Sequence, residues 1–357
     1  MTQVQSATLS GDSDEGRVAW IDLAKGMCIV FVVATHATLG VGDAVGREGF
    51  MHYVVAFTRP FRMPEFFLIS GLFLSRVIDR DWRRYGDRRV AHFAYFYLLW
   101  LLIYSVVKFQ QVSGGTVGGF FEHLAFSLVE PFSILWFIYL LAVFSVVTKL
   151  LRRAPPFLLL GGAALLEILP IETSWYIFNE FCNRWVYFVT GYLLAPHVFR
   201  LADWVAAHRW QALAALAAWF PVNGYFALTA TGMPDFPTLA SLPFISLVLG
   251  MAGAMATVVT AVLLVPTPLC APLRYAGFQT LTIYLAFLLP MAATRIILLK
   301  LGIIEDVGVI SLIVTIVALI TPLILERLVR DTPASFLFRR PAAFRLAPQR
   351  VQVQPAE

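Results

Sequence analysis

Residues 22–40 read D-L-A-K-G-M-C-I-V-F-V-V-A-T-H-A-T-L-G, a run apolar enough to enter a bilayer that nevertheless carries Asp22, Lys25 and His36. Ionisable side chains are costly inside a membrane helix, so they mark candidate functional sites. On an α-helix, eleven residues bring His36 back to within roughly 20° of Lys25 and about 16 Å further along the axis. One face of one helix is therefore predicted to join a charged membrane boundary to a buried imidazole.

The whole chain has the composition of an integral membrane protein. Of its 357 residues, 59% are hydrophobic and 14% are charged, and the mean hydropathy is +0.76. A soluble globular protein has fewer apolar and more charged residues. The predicted fold is therefore all-α and polytopic, with about ten transmembrane helices. The predicted spans are 20–41, 58–76, 91–110, 132–149, 156–171, 181–199, 210–229, 241–265, 277–299 and 308–326.

The two ends of the chain differ from its middle. Residues 1–19 are polar and acidic and lack the basic start and cleavage site of a signal peptide, so the first helix is predicted to be retained. Residues 20–328 form the predicted transmembrane domain, and residues 329–357 form a basic tail predicted to be mobile. Most lysines and arginines lie on one side of this topology, and the positive-inside rule predicts that both termini are cytoplasmic.

The excess of basic residues does not indicate a nucleic-acid-binding protein. The net charge is +5 and the pI is near 9.2, but these charges lie in loops of a membrane protein, where topology and contact with anionic membrane lipid explain them. Cys28, Cys182 and Cys270 have no paired spacing, so neither a disulfide framework nor a metal site is predicted. Cys28 is a candidate nucleophile, although a small packing residue is the better interpretation.

The second predicted span also opens with ionisable residues. Residues 57–76 read F-T-R-P-F-R-M-P-E-F-F-L-I-S-G-L-F-L-S-R, and the two prolines fit the first turns of a helix. Arg62 and Glu65 are three residues apart, so a helix would place them on neighbouring faces, able to form an ion pair. Two interpretations are open: a structural pair that closes the bundle, or a pair that lines a cavity with His36.

These two helices resemble the acyltransferase-3 family of membrane O-acyltransferases. The first carries a basic residue eleven positions before a histidine, and the second carries M-P-E-F-F-L-I-S-G. Later stretches, W-F-I-Y-L at 136–140 and L-T-I-Y-L at 281–285, are also similar to that family. The resemblance implies about ten spans and transfer of an acyl group, often acetyl from cytoplasmic acetyl-CoA, to a glycan or another hydroxyl-bearing acceptor. It also implies a bacterial inner (cell) membrane location.

The chain departs from the family pattern at several positions. Lys25 stands where many members have arginine, which keeps the charge but loses the bidentate fork. The basic pair at the start of the third span is Arg89 and His92 here, so its second charge depends on pH. Ile134 and Phe287 stand where the family often has histidines. These departures affect the expected identity of the acceptor more than the expected acyl-transfer chemistry.

His36 is the first candidate for the catalytic group. A hydroxyl that attacks a thioester needs a base to take its proton, and a neutral imidazole suits that role near pH 7. His36 could act as this base, or it could carry the acyl group as a covalent relay. The alternative is a structural histidine held by a hydrogen bond. Arg62 and Glu65 are then expected to position His36 or the acceptor.

The donor is expected to bind among basic residues near the cytoplasm. CoA carries phosphates, and arginine binds phosphate through charge-assisted hydrogen bonds. Arg88, Arg89 and His92 lie where the family has its basic pair, so they are the candidate donor-binding residues. Asp22 and Lys25 either form an interfacial ion pair or orient the donor.

Two other classes of membrane protein also bury ionisable residues. A secondary transporter would be expected to show inverted repeats or paired broken helices, and neither is recognisable in the sequence. A non-catalytic sensor or assembly protein could keep the packing motifs of an enzyme family without its chemistry.

Overall fold

The computed structural model describes residues 18–346, and this part of the chain is a bundle of α-helices. The predicted all-α class is confirmed. Residues 1–17 and 347–357, which hold most of the predicted N-terminal tail and the end of the predicted C-terminal tail, lie outside the described range. The helices are α1 (Ala19–Val45), α2 (Phe50–Thr58), α3 (Arg62–Leu72), α4 (Trp82–Gly86), α5 (His92–Val107), α6 (Phe109–Ser113), α7 (Val117–Phe126), α8 (Trp136–Leu150), α9 (Pro156–Ile168), α10 (Tyr176–Leu193), α11 (Ala195–Ala207), α12 (Arg209–Leu228), α13 (Ile245–Leu264), α14 (Cys270–Phe278), α15 (Thr280–Ala286), α16 (Leu288–Leu301) and α17 (Val307–Val329).

The longest apolar helices confirm a polytopic membrane protein. Among the described residues, five helices are long and apolar enough to cross a membrane, and six if α15 and α16, bent by 53° at their junction, form one broken span. The five are Ala19–Val45, Trp82–Val107, Ser133–Leu150, Ile245–Leu264 and Val307–Val329. The remaining predicted spans contain helices that are shorter or less apolar, so the count of ten stays a prediction.

Helix α1 is the centre of the bundle and packs against α14, α17, α13 and α3. Glycines bring α1 and α14 into backbone contact. A Cβ atom on Gly26 would lie 2.0 Å from the Leu273 carbonyl oxygen, and one on Gly277 would lie 1.6 Å from the Asp22 carbonyl oxygen. Small residues are what allow membrane helices to approach this closely. The position of the helix that carries the candidate residues is therefore fixed by backbone packing.

We name the two ends of the bundle by the predicted topology. The inner end holds the first turn of α1 and the turn at 73–81, where Trp20 and Phe73 both contact the Phe199 ring. The outer end holds the turn between α2 and α3 and the loops that follow α9 and α12, which line one cavity together.

The C-terminal segment, residues 330–346, folds back onto the inner end, so the prediction of a mobile tail is wrong over this range. Arg340 Nη2 donates to both carboxylate oxygens of Asp87 at 3.0 Å, and its Nη1 donates to the Asp87 carbonyl oxygen at 2.9 Å. The Leu346 N–H donates to the same carboxylate at 2.6 Å. Asp87 and Arg340 are both buried in this contact. Bidentate, charge-assisted hydrogen bonds of this kind hold a buried ion pair in one geometry.

Candidate active site

His36 lies in the outer half of α1 and is half-buried. Its ring centroid is 5.6 Å from that of Phe287, at the start of α16. An apolar ring therefore lies against one side of the imidazole. No described residue hydrogen-bonds to the His36 ring.

Arg62 is the charged residue whose field reaches His36. It is the first residue of α3, and its side chain extends among Arg59, Arg184 and Glu180 at the outer end. Arg184 Nε lies 3.2 Å from Glu180 Oε2, so that pair is closed. The Arg62 Nη1 atom is buried and has no hydrogen-bond partner among the described residues. Arg62 therefore has a buried donor without a described partner, and its charge acts on His36.

The predicted ion pair between Arg62 and Glu65 is wrong. Glu65 is fully buried and its Oε2 accepts a hydrogen bond from Thr257 Oγ1 on α13 at 3.0 Å. The Cys28 thiol lies against the same carboxyl group. Cys28 is eight residues before His36, about 12 Å along the helix axis. Glu65 therefore faces inward about one turn further along α3, where Thr257 and Cys28 are its partners. Of the two charged residues, Arg62 is the one whose charge acts on His36.

Asp22 and Lys25 form the predicted ion pair at the inner end of α1. Lys25 Nζ lies 3.7 Å from Asp22 Oδ1. Both residues line a cavity of about 220 Å³ with Phe73 and Phe278. Asp22 also borders a second cavity of about 540 Å³, which includes Arg274. The pair thus lies in the walls of two spaces at the inner end.

The three candidate donor-binding residues lie elsewhere at the inner end. Arg88 and Arg89 belong to a π-helical turn, Asp87–Ala91, that leads into α5. Arg88 is exposed and Arg89 is half-buried. The His92 ring packs 5.1 Å from that of Phe96, and the charges of Asp87 and Arg340 act on it. None of the three lines either cavity beside Asp22. The structure therefore separates the two predicted parts of the donor site.

A polar cavity of about 290 Å³ opens at the outer end. Arg59 and Arg184, whose fields reach Arg62, both line it. Glu167 of α9 is at its base, where its Oε1 accepts from Ser246 Oγ at 2.8 Å and from the Tyr187 hydroxyl at 3.3 Å. The walls of this cavity therefore hold two of the charges that act on Arg62.

Comparison with known proteins identifies the chain. The acyltransferase-3 family, described as an acyltransferase domain, matches residues 18–327. The chain belongs to the acyltransferase-3 family. One relative is the inner membrane protein YcfT of Escherichia coli (strain K12), which is 23% identical to this chain over 236 residues. That match covers 58% of this chain and 64% of YcfT, so the chain spans less than two thirds of this relative. No solved structure matches.

Membership of the acyltransferase-3 family confirms the resemblance drawn from the first two helices. Glu167 and Tyr187 were missed by the sequence reasoning, although Glu167 is a single carboxylate in the apolar helix α9, the same signal that pointed to His36. Tyr187 gave no such signal, because tyrosine is common in membrane helices. Within residues 18–346, no group of three histidine, cysteine or acidic side chains could hold a metal ion.

Proposed function

We propose that this acyltransferase-3 protein is an O-acyltransferase that moves an acyl group, most simply acetyl, from acyl-CoA at the inner end to an acceptor hydroxyl at the outer end. His36 is the catalytic group. The observation that carries the proposal is the environment of its imidazole, which is half-buried, has no hydrogen-bond partner among the described residues, and lies within the field of the Arg62 charge. A buried polar group is normally held by a hydrogen bond. A ring left without one remains available to reactants.

Two reaction routes use the same residues. As a general base, His36 takes the proton from the acceptor hydroxyl while the hydroxyl oxygen attacks the thioester carbon; the C–S bond breaks and CoA leaves as a thiol with that proton. As a relay, a neutral His36 nitrogen attacks the thioester carbon, the C–S bond breaks, and CoA leaves as a thiol with the proton that the imidazole loses. The acceptor oxygen then attacks the acyl-imidazole, the C–N bond breaks, and the hydroxyl proton returns to the imidazole as the ester forms. Labelled acetyl retained on protein that is denatured at neutral pH in the absence of acceptor, and lost from His36→Ala, would identify the relay.

Arg62 has the same role on either route. Negative charge develops on the thioester carbonyl oxygen as either nucleophile attacks, and a fixed donor in a site without water stabilises that charge strongly. The buried Nη1 atom of Arg62 lacks a protein partner among the described residues. Arg62 is therefore proposed as the oxyanion donor beside His36.

We propose that acyl-CoA, the donor substrate, binds at the inner end of the bundle. Lys25, paired with Asp22, and Arg274 line the two cavities there, and the distance of about 16 Å from Lys25 to the level of His36 is one that the pantetheine arm would cross. Arg88, Arg89 and His92 remain the alternative phosphate-binding set. A rise in KM for acetyl-CoA in Lys25→Ala but not in Arg89→Ala would favour the cavities, and the reverse would favour the alternative set.

We also propose that the protein works in a bacterial inner membrane on a glycan or another hydroxyl-bearing acceptor of the cell envelope. The relative from Escherichia coli is named an inner membrane protein, which supports the location. Mass spectrometry of envelope glycans and lipids from cells with and without the protein would identify the acceptor.

The test of the proposed function is release of CoA thiol from acetyl-CoA by purified protein in nanodiscs, with an extract of envelope glycans and lipids supplied as the acceptor. Wild type, His36→Ala and His208→Ala are compared. His208 is exposed and stacks on Trp204 away from the site, so it is the matched control. We expect His36→Ala to lose at least about 100-fold in rate, the usual size of a lost general base, and His208→Ala to be unchanged. Full activity in His36→Ala would overturn the assignment. No activity in any variant, including wild type, would favour a non-catalytic membrane protein.

A further inference from the structure

An apolar groove that the proposed function does not use lies between α5 and α8. It has a volume of about 420 Å³, and its walls are almost entirely apolar. Along α5 it extends from Val90 to Leu98, a rise of about 12 Å. Leu98 and Leu128, both in its walls, are 51% and 53% exposed. The groove therefore lies on the side of the bundle that faces the bilayer, and we call it the α5–α8 groove.

The outer border of the α5–α8 groove is closed by two tyrosines. The ring centroids of Tyr97 and Tyr139 are 5.5 Å apart. The Tyr97 hydroxyl donates to the Ser127 carbonyl oxygen, and the Tyr139 hydroxyl donates to the Leu128 carbonyl oxygen at 3.2 Å. The hydrocarbon core of a bilayer is about 30 Å thick, so one leaflet contributes about 15 Å. A groove about 12 Å long that ends at these tyrosines matches the chain of one lipid of the inner leaflet.

The inner border of the α5–α8 groove is the π-helical turn that carries Arg88 and Arg89. Hydrogen bonds in a π-helix join residues five apart, so such residues lie on the same side of the turn. By that spacing Arg88 is aligned with Phe93 and Arg89 with Ala94, and both Phe93 and Ala94 line the groove. The π turn therefore places two arginines at the inner mouth of the groove.

The length of the helix sets the depth of these two arginines in the membrane. Helix α4, the π turn and α5 form one continuous helix, Trp82–Val107, of 26 residues, which rises about 39 Å. About 20 residues cross the hydrocarbon core, so with Val107 at its outer boundary the inner boundary lies close to Arg88 and Arg89. Long arginine side chains at such a boundary extend to the headgroups. Both guanidinium groups therefore lie at the depth of lipid phosphates.

Arg88 and Arg89 have no acidic partner among the described residues. Within residues 18–346, neither side chain forms an ion pair or a hydrogen bond. The aspartates nearest to them in the chain are each paired with another arginine. The pairs are Asp79–Arg152 and Asp81–Arg84 at 3.5 Å, and Asp87–Arg340 at 3.0 Å. The mouth of the groove therefore carries positive charge that no described carboxylate neutralises, and such charge favours an anionic group.

We propose that the α5–α8 groove binds an anionic phospholipid of the inner leaflet, with one hydrocarbon chain in the groove and the phosphate on Arg88 and Arg89. Arginine holds a phosphate through charge-assisted, bidentate hydrogen bonds, and the apolar walls accept the chain. The groove shares no lining residue with the two cavities beside Asp22 and does not include His36. The lipid site is therefore separate from acyl transfer, and it assigns Arg88 and Arg89 to a lipid rather than to the donor.

The test is photolabelling of the full-length protein in phosphatidylcholine nanodiscs with two trace probes, a phosphatidylglycerol and a phosphatidylcholine that carry the same diazirine near the end of one chain. Labelled peptides are identified by mass spectrometry. Helix α17 is the internal reference, because Ile316, Ile320 and Ile324 are exposed along it. We expect the anionic probe to label the α5 and α8 peptides at least about fivefold more than the zwitterionic probe, and both probes to label α17 equally. Equal labelling of the groove by the two probes would overturn the proposal.

A matched pair of double variants tests the headgroup contact. Arg88→Gln/Arg89→Gln and Arg200→Gln/Arg209→Gln each remove two positive charges from the inner end, but Arg200 on α11 and Arg209 on α12 do not line the groove. We expect the preference for the anionic probe to fall at least about fivefold in the first variant and to be unchanged in the second. An unchanged preference in the first variant, or an equal loss in both, would contradict the headgroup contact and with it the proposal.

A second pair of variants tests the place of the hydrocarbon chain. Ala94 lines the groove, whereas Leu102 is 47% exposed on the same helix and does not line it. Ala94→Trp fills the groove and is expected to lower labelling of the α8 peptide by the anionic probe at least about fivefold, and Leu102→Trp is expected to leave it unchanged. Equal labelling in the two variants would show that the chain does not lie in the groove.

A competition experiment separates a lipid phosphate from the phosphates of the donor. Acetyl-CoA at millimolar concentration is added to wild type during photolabelling, and we expect labelling of the α5 and α8 peptides to be unchanged. Loss of the label would assign Arg88 and Arg89 to the donor and overturn the lipid site. Because the readout needs no turnover, failure of lipid binding and failure of acyl transfer are distinguishable.

Discussion

Buried charged groups are hydrogen-bonded in the C-terminal segment but partly unpaired in the outer half of the bundle. In the C-terminal segment, Arg340 holds both carboxylate oxygens of Asp87 at 3.0 Å. At the outer end, by contrast, Arg62 Nη1 and Glu167 Oε2 are buried without hydrogen-bond partners among the described residues. Natural proteins rarely leave buried polar atoms unpaired unless a ligand or a function uses them. The hydrogen-bonded pair of Asp87 and Arg340 is therefore a structural device, whereas Arg62 and Glu167 keep polar atoms that a bound molecule could use.

The largest effect on stability is expected from breaking the closed pair. Asp87→Ala leaves Arg340, whose side chain is only 8% exposed, without its counter-ion, and loss of one partner of a buried pair costs about 3–5 kcal/mol. Urea unfolding followed by tryptophan fluorescence would measure this. The double variant Asp87→Leu/Arg340→Leu should lose much less, since it leaves no charge buried. If Asp87→Ala were as stable as wild type, the pair of Asp87 and Arg340 would not be a structural device.

Arg62→Ala is expected to change rate rather than stability. Loss of one oxyanion donor lowers kcat by about 100- to 1,000-fold, whereas the free energy of unfolding should hardly change because Nη1 has no described partner to lose. Steady-state CoA release and urea unfolding on the same preparation would separate the two quantities. A large loss of stability with normal kcat would make Arg62 a structural residue like Arg340.

Gly277→Ala tests whether the inner end needs the backbone contact between α1 and α14. The added Cβ would lie 1.6 Å from the Asp22 carbonyl oxygen, and forcing a packed interface apart costs about 1–3 kcal/mol. Gly161→Ala is the control, because nothing lies within 4 Å of a Cβ there. Lower stability in the first variant only is expected. If Gly277→Ala matched its control, the helices would not be held by this contact.

The smallest effect is expected at Lys25, which is paired but borders a cavity. Loss of one charge-assisted hydrogen bond to donor phosphate, about 1.5 kcal/mol, would raise KM for acetyl-CoA roughly tenfold, with kcat nearly unchanged. Lys25→Arg should restore the charge. An unchanged KM in Lys25→Ala would leave Lys25 as a partner of Asp22 alone.

The sequence predicted what depends on local spacing. The apolar run around His36 and the i, i+3 relation of Asp22 and Lys25 need one helix only, and both were found. The pairing of Arg62 with Glu65 failed because the partner of Glu65 is Thr257, 192 residues later in the chain. Contacts between distant elements follow from packing, which one helix pattern does not contain.

The same reasoning explains the C-terminal segment and the outer cavity. The basic composition after residue 329 is typical of a solvated tail, but Arg340 finds Asp87, 253 residues earlier. Glu167 meets Ser246 across 79 residues. No spacing rule links such pairs. For the same reason, the sequence predicted Arg88, Arg89 and His92 as donor-binding residues without predicting that the C-terminal segment packs beside them.

The most direct test of the account compares His36→Ala with Arg340→Ala in one experiment that records both CoA release and urea unfolding in nanodiscs. The account predicts that His36→Ala loses at least about 100-fold in kcat with unchanged stability, and that Arg340→Ala loses stability by about 3 kcal/mol or more with a smaller change in kcat. If His36→Ala kept its kcat within twofold of wild type, the assignment of His36 as the catalytic group would be contradicted.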